Sequence, residues 1–141
     1  MEKIKSFQID HDIHKKGLYL SGESNNIFTY DLRFKTPNGG DYMDNASMHT
    51  IEHLFATVVR NSTQKRNVVY FGPMGCRTGF YLLMLGVKYD EAKDLIISCI
   101  KKCLHLDEVP GNSRKECGNY LEHDLIGAKK LLVDYLQVLV G

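Results

Sequence analysis

"NVVYFGPMGCRTGFYLLMLG", residues 67–86, decides the fold class. Its two ends, "NVVYFG" and "TGFYLLMLG", are rich in β-branched and aromatic residues and read as strands, with Cys76 in the tight Gly/Pro loop between them. Upstream, "GLYLSG" and "NIFTYDLRF" read as two more strands. "KTPNGG" after Phe34 closes that pair off, because Pro and Gly together stop both kinds of backbone ladder.

Between the strand pairs, Met48, Ile51, Leu54, Phe55, Val58 and Val59 recur at helical spacing from Ser47 to about Asn61, with Ser47 or Asn45 able to cap the start. "YDEAKDLIISCIKKCLHL" is a second amphipathic helix, starting near Asp90, and "LIGAKKLLVDYLQVL" a third. Strands and helices come in blocks, without the regular alternation of a parallel sheet. The expected fold is therefore α+β: an antiparallel sheet of about four strands with helices packed on one face.

The 141 residues suit a single domain, 1–141, with a core that needs no disulfide. With 18 basic and 17 acidic side chains there is no electrostatic footprint for nucleic acid or anionic lipid, so neither a nucleic-acid nor a membrane partner is expected. "MEKIKSFQID" lacks the apolar run of a signal peptide, and a cytoplasmic location is expected. There Cys76, Cys99, Cys103 and Cys117 would be reduced, which favours metal binding or catalysis over bridging.

On the first helix His49, Glu52, His53, Ala56 and Arg60 fall opposite the apolar stripe. A solvated face normally carries several Lys or Glu, so this face is expected to line a cleft. Two histidines four apart can converge on one ion, and the intervening Glu can reach a bound water or substrate. Cys76 in "GPMGCRTG" and Cys117 in "KECGNY" lie beside glycines in loops, and either could be a third ligand. Cys99 and Cys103, in the apolar stripe of the second helix, read as small core hydrophobes. A three-ligand site keeps a position open, which is the catalytic pattern; a structural site is closed by four. The other loop cysteine, near the metal but off it, would favour its thiolate and could move protons. With Glu52 that makes two proton carriers around one Lewis acid, suited to shifting protons between adjacent carbons of a carbonyl compound.

"KSFQIDH", "YDLRF", "HTIEH", "GPMGCRTGFY" and "ECGNY" together resemble the S-ribosylhomocysteine lyase (LuxS) family, which makes the precursor of the quorum-sensing signal autoinducer-2. The resemblance runs from Ser6 to the last helix. It implies a homodimer with active sites at the subunit interface and one divalent metal per subunit, Fe2+ with Zn2+ or Co2+ able to replace it. It further implies His49, His53 and Cys117 as ligands, Cys76 and Glu52 as acid/base groups, and Ser6, His11, Arg33 and Arg60 as substrate contacts. In that family the carbonyl of S-ribosylhomocysteine is walked along the opened ribose by two enolisations. Homocysteine then leaves by β-elimination, with 4,5-dihydroxy-2,3-pentanedione as the other product. His14, His105 and His123 receive no role.

One departure stands out: family members often carry an acid and a serine shortly before PMGC, whereas "YFGPMGC" has Tyr70 and Gly72. An arginine that such an acid would orient must find another partner here. Two other readings compete. A His-x-x-Glu-His zinc peptidase would use a downstream Glu as its third ligand. A non-catalytic metal-binding or thiol-sensing module would close its site with Cys76 as fourth ligand.

Overall fold

A computed structural model describes residues 1–141. Its strands are β1 (Gly17–Ser24), β2 (Ile27–Arg33), β3 (Val68–Pro73) and β4 (Gly79–Leu85). Its helices are α1 (Asn45–Val59), α2 (Tyr89–Cys103) and α3 (Leu125–Val140). The sheet is antiparallel throughout in the order β1-β2-β4-β3, so two hairpins meet along β2 and β4. The expected α+β class and the four strands are found.

Asn25 and Asn26 make the first hairpin turn with φ of 53° and 64°. Two positive φ values in a two-residue loop follow the right-handed twist of the flanking strands, and asparagine tolerates them better than most residues. In the second hairpin Arg77 takes φ 62°, its N–H bonded to the Met74 carbonyl at 3.0 Å, while Met74 N–H reaches Gly79 O at 2.9 Å. Gly79 allows β2 to approach: a Cβ there would lie 2.5 Å from the Leu32 carbonyl oxygen.

Alternation then sorts the side chains. Tyr30 and Leu32 of β2 join Phe80, Leu82 and Met84 of β4 in one buried cluster with Ile51, Leu54 and Phe55 of α1. Ile96, Cys99, Ile100 and Cys103 of α2 and Ala128, Leu132 and Tyr135 of α3 complete it. Burial pushes the Cys99 thiol up to about 11 and that of Cys103 to about 12. Both cysteines are core hydrophobes, as their spacing suggests.

Helices α2 and α3 start where their stretches begin, at Tyr89 and Leu125, but the start of α1 and the end of α2 differ from expectation. Asp44, extended at φ −74°, caps α1 by accepting from Ser47 N–H; Asn45 and Ser47 lie inside the helix. Helix α2 begins at Tyr89 after Lys88, which makes no side-chain cap, and ends at Cys103, short of Leu106. Asp90 and Glu91 in its first turn and Lys101 and Lys102 in its last still complement the helix dipole. No helix is long and apolar enough to cross a membrane.

Candidate metal centre and thiol cavity

Helix α1 turns His49, Glu52, His53 and Ala56 to its half-buried side; Arg60, at the C-cap, is exposed. Over the two histidines lies the segment 104–124, whose carbonyls hold the rings. Nδ1 of His49 donates to the Glu122 carbonyl and Nδ1 of His53 to the Pro110 carbonyl, each at 2.8 Å. A carbonyl only accepts, so both hydrogens sit on Nδ1 and both Nε2 lone pairs are free.

Those lone pairs meet a sulfur. Cys117 is buried, at the end of a turn in which its N–H bonds Ser113 O at 2.9 Å and Ser113 Oγ donates to the Glu116 carboxylate at 2.6 Å. Its Sγ lies 3.4 Å from His49 Nε2 and 3.8 Å from His53 Nε2. Ordinary metal–nitrogen and metal–sulfur bond lengths on tetrahedral axes put N and S about 3.5 Å apart, so the three donors fit one ion between them. His123 is a fourth group at this place, its Nε2 also 3.8 Å from Cys117 Sγ and its ring stacked on His49 at 4.0 Å. Burial, followed by the neighbouring His49 and His53, holds the His123 imidazole below the usual histidine range.

A second group forms on the opposite face of the sheet. A cavity of about 370 Å³ is lined by Ser6, Phe7, His11, Arg33, Cys76 and Tyr81, among others. Cys76 is exposed on the β3–β4 loop, its Sγ 3.0 Å from Thr78 Oγ1. Arg33 Nη1 donates to the same hydroxyl at 2.8 Å and lies 4.0 Å from the sulfur. The partner that Arg33 needs is Asp31, which it grips through Nε and Nη2 at 3.2 and 2.7 Å. His14 Nε2 approaches the same carboxylate at 3.1 Å. Nδ1 of His11 donates to Ile9 O at 2.9 Å, leaving Nε2 free on a residue that lines the cavity.

The structure thus gathers His49, His53 and Cys117 in one place and Ser6, His11, Arg33 and Cys76 in another. Arg60 joins neither group, and Glu52, beside the histidines on α1, makes no hydrogen bond or ion pair. Nor does Cys76 lie at the histidines; the fourth side chain there is His123.

The model of the S-ribosylhomocysteinase (LuxS) family matches residues 4–140. The S-ribosylhomocysteine lyase of Borreliella afzelii is 49% identical, covering 99% of this chain and 93% of its own. The enzymes of the same name from Desulfotalea psychrophila and Finegoldia magna are 45% and 42% identical, covering 92% and 99% of this chain and 86% and 92% of theirs. This chain belongs to the S-ribosylhomocysteinase family.

For a S-ribosylhomocysteinase, the departure before PMGC has a visible local meaning. A Cβ at Gly72 would collide with the Tyr70 ring, so the glycine and the tyrosine come as a pair on the outer face of β3. Residues that the sequence reading left without a role are Asp31, Thr78 and His123. The first could have been noticed, since an acid two positions before an Arg in a strand shares its face. Thr78 and His123 gave no such signal; loop closure alone brings them to the sulfurs.

Proposed function

We propose that residues 1–141 act as one metal-dependent lyase domain, cleaving S-ribosylhomocysteine to homocysteine and 4,5-dihydroxy-2,3-pentanedione, the autoinducer-2 precursor. Family membership supports the substrate, and a single arrangement carries the chemistry: two carbonyl-fixed histidines and one thiol at ligand spacing. His49, His53 and Cys117 hold one divalent ion, Fe2+ in our reading with Zn2+ or Co2+ as substitutes, and it supplies Lewis-acid polarisation of a substrate carbonyl.

The chain's own groups move the protons. Cys76 Sγ takes and returns the C–H proton on one side of the migrating carbonyl, steadied by the Thr78 hydroxyl and the Arg33 charge beside it. The Glu52 carboxylate serves the other side. In the last step a base removes the proton next to the carbonyl, the C–S bond breaks and the leaving sulfur is protonated as homocysteine. Ser6 and the free Nε2 of His11 meet the sugar hydroxyls, and Arg60 pairs with the homocysteine carboxylate. Arg33, already engaged by Asp31 and Thr78, acts on substrate largely through Cys76.

Because no metal-cluster residue lines the Cys76 cavity, we read the working site as completed across a homodimer, one copy giving the ion and its partner the thiol. Phe7, Ile13, Tyr70 and Leu85 are exposed, as a chain awaiting a second copy would have them. Four free cysteines suit a cytoplasmic enzyme.

Mixing subunits tests this. Cys76→Ala and Cys117→Ala proteins, dead alone, should together regain about a quarter of wild-type homocysteine release when dimers form at random, since half are mixed and each carries one intact site. A mixture as dead as its parts would remove the shared site. Absence of homocysteine release from metal-loaded wild type would remove the lyase reading altogether.

A further inference from the structure

The cluster at Cys117 holds three imidazoles, yet their Nδ1 partners are of two kinds. His49 and His53 face carbonyls. His123 Nδ1 instead faces the Thr50 hydroxyl at 3.0 Å. That hydroxyl oxygen already accepts from Asp124 N–H at 2.9 Å, and its one hydrogen has no other partner than His123. Thr50 is buried, so this hydrogen is not given to water. Thr50 therefore donates to Nδ1, and the ring hydrogen of a neutral His123 resides on Nε2, the atom that lies 3.8 Å from Cys117 Sγ.

We propose that His123 is a positioning residue: held in its Nε2–H tautomer by Thr50, it donates to the Cys117 sulfur and is not a fourth ligand. This rests on Cys117, His49 and His53 being the ligands. It explains how a cluster with four donor-type side chains keeps a position open for substrate, because the fourth has its lone pair turned away. The arrangement is anchored at both ends of the contact. Asp124, next in the chain, caps α3 through Gly127 N–H at 2.8 Å, and its own N–H fixes Thr50 on α1. An N–H directed at a thiolate draws off part of its charge and aims its lone pairs, as groups behind a metal ligand generally do.

The test is the absorption of the Co2+-loaded protein together with competition against a chelator. Wild type should show a thiolate-to-cobalt charge-transfer band. In His123→Phe, which keeps a ring on His49 but has no N–H, the band should keep its intensity and move to longer wavelength, because a thiolate without its donor gives up an electron more easily. Cobalt affinity should fall about tenfold. Thr50→Val should shift the band the same way by less, and it stands in should His123→Phe fail to fold. An unmoved band in either variant would overturn the proposal. So would a changed d–d envelope with affinity lost as deeply as in His49→Ala, the mark of a fourth ligand. A wild type without the band would instead remove Cys117 from the ligand set, a separate failure.

Discussion

Asp31 and Arg33, two residues apart on β2, form a two-point ion pair with both side chains withdrawn from water. Strand alternation puts them on the same face, opposite Tyr30 and Leu32, and the N-terminal segment covers them, with His14 against Asp31. The guanidinium that could have bound substrate directly is committed to holding Thr78 and, through it, the Cys76 loop.

Removing one partner of such a pair leaves a buried charge alone. Asp31→Ala should lower stability by about 3 kcal/mol or more in urea unfolding, and adding Arg33→Met should restore part of the loss. A double variant no more stable than Asp31→Ala would show that packing, not the stranded charge, sets the cost.

The two loop cysteines should separate cleanly. Cys117→Ala should lose both bound metal and turnover, whereas Cys76→Ser should keep the metal and lose turnover by at least about a hundredfold, the scale of one acid/base group. Metal analysis of the purified variants decides it; metal lost from Cys76→Ser would revive the closed-site reading.

Thiol alkylation follows from burial. Cys76 is exposed, while Cys99 and Cys103 are buried with thiols pushed up to about 11 and about 12. In native metal-loaded protein at pH 8, iodoacetamide should modify Cys76 first and leave Cys99 and Cys103 untouched until unfolding. Peptide mapping after a short pulse reads the order.

At the start of α1 the Asp44 carboxylate is held below its usual range, chiefly by the Ser47 N–H that it accepts. A carboxylate depressed by folding adds stability above its unfolded value, near 3.8, and loses it as pH falls through the lower folded value. Asp44→Ala should cost about 1 kcal/mol at pH 7 and less below pH 3; Asp44→Asn should cost little at either. Thermal unfolding of the three proteins at the two pH values checks the sign.

Gly79→Ala probes the close approach of the hairpins. The added methyl would press on the Leu32 carbonyl, so β2 and β4 must part, at a cost of about 2 kcal/mol. As Arg33 is paired with Gly79 across the sheet, the same change should move Arg33 away from Thr78 and reduce turnover as well as stability.

The strands were legible in the sequence because their boundaries are written in Gly, Pro and Asn, and the helices because their apolar stripes are long. Helix caps were less so: Asp44, Asn45 and Ser47 are all capping types, and only backbone conformation chooses among them. The histidine pair on α1 was visible as spacing and Cys117 as one of two loop cysteines, but the choice of Cys117 over Cys76 as the ligand came only through resemblance. Asp31 was readable from alternation but not its burial, which depends on a segment that folds back over the sheet. His123 was invisible, since nothing local says that a loop histidine will stack on one from α1.

The stretch 104–124 docks on α1 through the same imidazoles and sulfur that would grip an ion. Its attachment and the ion's are thus linked, each favouring the other. A molecule that has not acquired its metal would present this segment to proteases, so the cell's supply of the ion would govern how long each copy survives, as well as how fast it works.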